Sequence, residues 1–173
     1  MNRRTILALT TTALLCTGVI FSSSHAPAQQ KSLKDQLVGA WTLVSIDNTA
    51  QDGSKLQPFG ANPKGTLIFD ASGRYSQAQV RTGRTKFKSP NRLQATPDEA
   101  KAAMNDTLAQ FGTWSIDEAS KTILLRVEGS LIPNAEGTET KRINVTATAD
   151  ELKYSNPAPA LGGRNESVYR RAK

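Results

Sequence analysis

From residue 39 to residue 171 the sequence is a succession of short β-branched and apolar runs separated by turn residues. The first run covers 40–47, and a turn at 70–73 separates a compact run at 66–69 from an alternating run at 74–80. Runs of this length and composition are typical of β-strands, and their close spacing is typical of antiparallel hairpins. The sequence therefore predicts a mainly β fold of about eight or nine antiparallel strands.

One helix is predicted among these strands. Thr96 fits the N-cap position, Pro97 fits the first helical position, and two acidic residues follow in the first turn. Apolar residues continue at helical spacing as far as Phe111, and Gly112 ends the pattern. We expect the strands to close into an up-and-down barrel rather than a sandwich, because closure leaves no exposed strand edge. The helix would then cover one mouth of the barrel.

The first 28 residues have the pattern of a secretory signal peptide. A basic start at 2–4 is followed by an apolar run at 6–21 and by small residues that end at Ala28. The apolar run is short for a membrane span of about 20 residues and contains several threonines, so we expect cleavage after Ala28 rather than a retained anchor. The prediction is an exported protein, periplasmic or extracellular, with one folded domain at 29–173.

Two features of this segment bear on how the protein would be exported. Arg3 and Arg4 resemble the start of a twin-arginine signal, so that route and the general secretory route both stay open. A lipoprotein signal would make Cys16 the first mature residue, but such signals place a small residue before the cysteine, and Leu15 is large. We therefore expect no stable membrane anchor after cleavage.

Cleavage after Ala28 would remove the only cysteine, Cys16, and the only histidine, His25. The mature chain could then form no disulfide, and a metal site or a Ser-His-Asp triad would lack residue types that it commonly uses. The acidic pairs of the sequence fall at a helix start or in turns, where carboxylates stabilise local structure. We therefore predict no cofactor, no metal and no catalytic residues, and we favour a function other than catalysis.

The charge of the chain is moderately basic. The formal net charge is +7, and loss of Arg3 and Arg4 would leave 20 basic residues against 15 acidic ones, or +5. Nucleic-acid binding would need clustered positive charge interleaved with aromatic side chains. Basic residues and a phenylalanine do cluster, at Arg81, Arg84, Lys86, Phe87, Lys88 and Arg92. Proline, glycine and serine interrupt this cluster, which is typical of a solvated loop, so we expect no nucleic-acid partner.

An ordered series of motifs resembles the bacterial lipocalin-like domain family. The motifs are, in chain order, Val38-Gly39-Ala40-Trp41-Thr42, Pro63-Lys64-Gly65-Thr66-Leu67-Ile68-Phe69, Ser72-Gly73-Arg74-Tyr75-Ser76, Phe111-Gly112-Thr113-Trp114, Val127-Glu128-Gly129-Ser130-Leu131-Ile132-Pro133 and Tyr169-Arg170-Arg171. The resemblance extends over residues 33–171 and implies a small lipocalin-like β-barrel with an internal cavity. It implies little about activity.

Three residues are predicted to have structural roles. Gly39, just before the first strand, permits close backbone approach. The resemblance implies that Trp41 plugs the closed end of the barrel. Arg171, on the last strand, would pack across the Trp41 ring in a cation–π contact worth about 1 kcal/mol. Many family members carry a histidine in the strand at 123–126, where this chain has none, so the sequence does not support imidazole chemistry or haem ligation.

Polar and amphipathic residues on the predicted strands are candidate ligand contacts, because alternate residues of a barrel strand face the interior. A ligand pocket is mostly apolar with a few placed polar groups. The predicted ligand-binding residues are Tyr75, Gln77, Arg126, Glu128, Asn144 and Tyr154. Each assignment depends on strand register, since a shift of one residue moves a side chain to the opposite face.

Three functions remain open from the sequence. The favoured one is an exported barrel that binds a small hydrophobic or amphipathic ligand. The second is an isomerase or cyclase acting in the barrel cavity, in which Glu128 with Tyr75 or Arg126 would supply acid–base groups. The third is a non-catalytic structural or interaction domain whose barrel is packed solid. The sequence predicts neither a particular ligand nor an oligomeric state.

Overall fold

The computed structural model describes residues 31–173, which form a closed antiparallel β-barrel. The strands are β1 (Gly39–Thr49), β2 (Lys55–Leu56), β3 (Lys64–Phe69), β4 (Arg74–Val80), β5 (Thr107–Asp117), β6 (Thr122–Ser130), β7 (Glu139–Ala147), β8 (Glu151–Asn156) and β9 (Arg164–Arg171). The helices are α1 (Leu33–Leu37) and α2 (Pro97–Asn105), with single 3-10 turns at Arg92–Gln94 and Pro133–Ala135. No helix within 31–173 is long and apolar enough to span a membrane. The predicted signal peptide, 1–28, lies outside the described residues.

Closure of the barrel depends on β1, which pairs with β3 on one side and with β9 on the other. The remaining strands pair with their sequence neighbours, so eight strands complete the ring, and β2 adds two residues to the far end of β1. Every strand pair is antiparallel, as short turn-linked runs favour. The predicted mainly β, up-and-down barrel is confirmed.

The end of the barrel at Trp41, which we call the closed end, is sealed by α1. Leu37 and Trp41 are fully buried, and the Trp41 indole N–H donates to the Leu37 carbonyl oxygen at 2.8 Å. Arg171 lies over the face of the Trp41 ring and donates to the carbonyl oxygens of Gln36 (2.6 Å) and Val38 (2.8 Å). These contacts satisfy the last carbonyls of α1, which have no partner within the helix.

Gly39 makes this arrangement possible. Its φ is +127°, a backbone conformation that residues other than glycine rarely adopt. A Cβ atom there would lie 2.7 Å from Nη1 of Arg171. A larger residue would therefore strain the backbone and displace the guanidinium.

The half of the barrel next to the closed end is filled with apolar side chains. The Phe69 and Trp114 rings pack at 4.8 Å between centroids, and the Trp114 indole N–H donates to the Asp70 carbonyl oxygen at 3.0 Å. The other buried aliphatic and tryptophan members are Leu37, Trp41, Leu43, Ile46, Leu67, Ile123, Leu125, Val145 and Leu152, and Tyr75, Tyr154 and Tyr169 complete the cluster. Full burial of each large apolar side chain contributes about 1.5–3 kcal/mol. The hydrophobic core thus fills the closed end and continues through Ile46 and Tyr154 to the cavity wall.

The predicted helix begins as expected but ends earlier. The Thr96 hydroxyl accepts from the Glu99 backbone N–H, and the Glu99 carboxylate accepts from the Thr96 N–H at 2.8 Å, which completes a capping box. The prediction that the helix extends to Phe111 is wrong, because β5 begins at Thr107 and pairs with β4. The spacing of apolar residues in 107–111 is compatible with a helix or a strand. Pairing with β4 in the barrel favours the strand.

A bulge in β7 corrects the expectation that Asn144 faces the interior of the barrel. Asn144 has a φ of +55°, and the pairing of β7 with β8 shifts register between Ile143 and Thr146. In a regular strand, the side chains of Arg142 and Val145 would lie on opposite faces, because the two residues are three positions apart. The extra residue of the bulge lets both side chains point inward. Asn144 is itself exposed, since the bulge turns it away from the interior.

Candidate functional site

A cavity of about 720 Å³ lies at the end of the barrel opposite Trp41, which we call the open end. The long connections gather there, because β1 ends and β9 begins at this side, with Thr49 paired to Arg164. The mouth carries exposed or half-buried apolar side chains. They are Leu56, Phe59, Met104, Leu108, Ile132 and Leu161. The barrel is therefore packed at one end and hollow at the other.

The floor of the cavity is a buried network of amides and phenols. Gln79 Nε2 donates to the Tyr169 hydroxyl at 2.6 Å, and Gln77 Nε2 donates to the same oxygen at 3.1 Å. The hydroxyls of Tyr154 and Tyr169 share a hydrogen bond at 2.9 Å, and Gln110 donates to Gln77 Oε1 at 3.2 Å. Because these groups satisfy one another, the polar floor can be buried without a large desolvation cost.

Burial changes the acidity of two tyrosines. It raises the pKa of Tyr169 well above its ordinary value, and the neighbouring Tyr154 adds to the effect. It also raises the pKa of Tyr75 to about 12, although the positive charge of Arg142 acts in the opposite direction. The Tyr75 hydroxyl has no hydrogen-bond partner among residues 31–173. Both phenols are therefore neutral donors over the physiological pH range.

Arg142 contributes a cation to the cavity wall. Only 7 % of the residue is exposed, and its guanidinium carbon lies 5.8 Å from the centroid of the Tyr154 ring. One of its N–H groups donates to the carbonyl oxygen of Lys141 at 2.9 Å. The cavity thus combines apolar side chains at its mouth with a buried polar network and a buried cation deeper inside.

Polar contacts hold the segments that form the mouth. Arg81 Nε lies 2.7 Å from Asp106 Oδ1, and the same guanidinium donates to the Pro58 carbonyl oxygen, so α2 and the segment before β3 are joined. Asn48 Nδ2 donates to the Gly162 carbonyl oxygen at 2.9 Å and to Asn165 Oδ1 at 2.7 Å. These bonds fix the loop between β8 and β9 against β1, so the mouth is a formed opening.

A model of the lipocalin-like domain family matches residues 38–169, from the residue before β1 into β9. The chain belongs to the lipocalin-like domain family. A search of curated proteins gives no match. Family membership agrees with the closed eight-stranded barrel and with its hollow open end.

Three of the six predicted ligand-binding residues of this lipocalin-like domain point into the barrel. Gln77 and Tyr154 line the cavity. Tyr75 is buried on the same face of β4 as Gln77 but two residues nearer the closed end, roughly 7 Å deeper along the strand. It therefore lies below the cavity floor.

The other three predicted residues lie on the outer surface. On β6 the inward positions are taken by Leu125 and Val127, so Arg126 and Glu128 point to solvent, and Glu128 pairs with Arg74 at 2.8 Å. Asn144 is exposed because of the bulge in β7. The expectation that all six residues face the interior is therefore wrong for these three, and its cause is register.

Sequence reasoning missed several wall residues of the lipocalin-like domain. Gln79 shares the inward face of β4 with Gln77, and the alternation of that strand could have identified it. Arg142 was hidden, because the bulge that turns it inward interrupts the alternation. Ser167, on β9, also lines the cavity. Among residues 31–173, no three His, Cys, Asp or Glu side chains are grouped as a metal site requires.

Proposed function

We propose that this protein is exported and that its barrel binds a small hydrophobic or amphipathic ligand at the open end. The observation that carries the proposal is the cavity of about 720 Å³, with its apolar mouth and hydrogen-bonded polar floor. Small-molecule sites typically enclose about 300–1,000 Å³ and combine apolar walls with a few oriented polar groups. The apolar mouth would accept the hydrophobic part of the ligand.

The two alternatives have less support. A solid structural barrel would have no cavity, whereas here a cavity of about 720 Å³ lies beside the packed core. An isomerase or cyclase in the cavity would rely on Glu128 as its acid–base group, and that carboxylate lies outside the barrel, paired with Arg74. The wall formed by described residues contributes amide, hydroxyl and guanidinium groups, which suit binding.

Export is supported by the composition of residues 1–28, with its basic start, apolar run and small residues before Ala28. The proposed location is the periplasm or the extracellular space. Fractionation of the producing cells followed by amino-terminal sequencing tests this. We expect mature protein beginning at Gln29 outside the cytoplasm, whereas full-length protein in the cytoplasm would contradict it.

The binding proposal can be tested with the neutral fluorescent probe N-phenylnaphthylamine. We expect saturable binding of about one probe per protein, with an emission increase because the probe leaves water for an apolar site. Two enlarging substitutions of wall residues, Ser167→Phe and Leu108→Trp, should each weaken binding by about tenfold or more, since both take up cavity volume.

Val168→Phe is the matched control, because Val168 neighbours Ser167 on β9 but points away from the cavity. This variant should bind the probe with an affinity close to that of the wild type. Equal binding by all four proteins would show that the probe does not enter the barrel. That result would overturn the proposed function.

A further inference from the structure

Within residues 31–173, Arg142 is a buried cation without a counter-charge. The residue is 7 % exposed, yet it takes part in none of the ion pairs formed within residues 31–173. Its one hydrogen bond within that part of the chain goes to a neutral acceptor, the carbonyl oxygen of Lys141. A guanidinium carries five N–H donors, so the described residues use only a small part of its hydrogen-bonding capacity.

The guanidinium carries its positive charge in a buried position, and a buried charge is costly unless it is paired. The Tyr154 ring, 5.8 Å from the guanidinium carbon, offers only partial compensation through a cation–π contact. The fold therefore maintains a cation at a position that disfavours one.

The surroundings of this cation are positive or neutral throughout the cavity. The wall contains two arginines, Arg81 and Arg142, and no aspartate or glutamate among the residues described. Arg81 is already paired with Asp106 at the mouth, and its side chain is 40 % exposed. Among the described wall residues, the unpaired charge is thus that of Arg142.

We propose that the ligand is an anionic amphiphile whose carboxylate or similar head group binds Arg142, with its apolar chain extending to the mouth. This inference rests on the proposed binding function and specifies its ligand class. The guanidinium would supply paired donors to the head group. Apolar residues such as Leu108, Ile132 and Leu161 would contact the chain.

The test compares two probes of equal chain length, dodecanoate and dodecanol, by calorimetric titration of the whole protein at neutral pH. Both probes are kept below the concentration at which they form micelles. We expect dodecanoate to bind the wild type about tenfold to a hundredfold more tightly, as a charge-assisted hydrogen bond to a buried group should produce. Arg142→Gln should remove this preference and leave the affinity for dodecanol nearly unchanged.

Arg126→Gln is the matched control, because Arg126 lies on the neighbouring strand and points to solvent. It should retain the preference for dodecanoate. Dodecanol binding by each variant shows that its barrel is folded and open. If neither probe binds the wild type, the proposed function itself fails. If both bind equally, or if Arg142→Gln keeps the preference, only the anionic ligand class is overturned.

Discussion

The guanidinium carbon of Arg171 lies 3.9 Å from the centroid of the Trp41 ring. The two residues are also direct partners in the pairing of β1 with β9, so the contact lies on the seam that closes the barrel. The same guanidinium donates to the carbonyl oxygens of Gln36 and Val38 next to α1. One side chain therefore joins the first strand, the last strand and the helix that seals the closed end.

Arg171→Lys should destabilise the protein by about 1–3 kcal/mol, because an ammonium group cannot reproduce several directed hydrogen bonds and the stacking on Trp41. Urea unfolding followed by tryptophan fluorescence measures the change. The control is Arg170→Lys at the exposed neighbouring position, which should change stability by less than about 0.5 kcal/mol. Equal effects of the two substitutions would contradict a specific role for the contact.

Two of the three tyrosine hydroxyls inside the barrel, those of Tyr75 and Tyr169, should respond differently to removal. Tyr169→Phe leaves the buried amides of Gln77 and Gln79 without their shared acceptor, so a loss of about 1–3 kcal/mol is expected. Tyr75→Phe removes a buried hydroxyl that has no partner among the described residues, so stability should be unchanged or higher. Thermal unfolding of both variants measures this, and the reverse order of stabilities would show the network to be misassigned.

The raised pKa values predict a loss of stability at high pH. Up to about pH 10 the phenols are protonated in the folded and the unfolded chain, so their contribution is fully present. Above that pH the unfolded chain releases protons that the folded chain retains, and the free energy of unfolding falls until the pH passes the folded value, about 12 for Tyr75.

Tyrosinate absorbance and far-ultraviolet circular dichroism, recorded together against pH, test this expectation. The signals of Tyr75 and Tyr169 should appear only as the protein unfolds, and Tyr75→Phe should lose less stability above about pH 10 than the wild type. Ionisation of Tyr75 and Tyr169 near pH 10 in folded protein would contradict the burial of these hydroxyls.

Much of the fold was predictable because it depends on local signals. The strands follow from alternating β-branched runs, the start of α2 follows from the capping pattern at Thr96, and the family motifs imply the contact of Trp41 with Arg171, which the structure contains. The end of α2 was not predictable, because the apolar spacing at 107–111 suits a helix or a strand and only pairing with β4 decides.

The candidate site was less predictable than the fold, since it depends on which way each strand residue points. On β4 the alternation correctly identified Gln77 as an inward-facing residue. On β6 the prediction was wrong by one residue: Leu125 and Val127 face the interior, and Arg126 and Glu128 face solvent. On β7 the bulge at Asn144 changes which side chains of the strand point inward. A single sequence carries no signal that locates such a bulge, and Arg142 was missed for that reason.

The most direct measurement of ligand binding at the open end is an amide-resolved NMR titration of the protein with dodecanol. Saturable shifts should appear at the cavity wall, including Gln77, Leu108 and Leu161, whereas the indole N–H signals of Trp41 and Trp114 at the closed end should stay in place. Shifts centred on the two indoles, or the lack of any saturable shift, would contradict binding in the open end of the barrel.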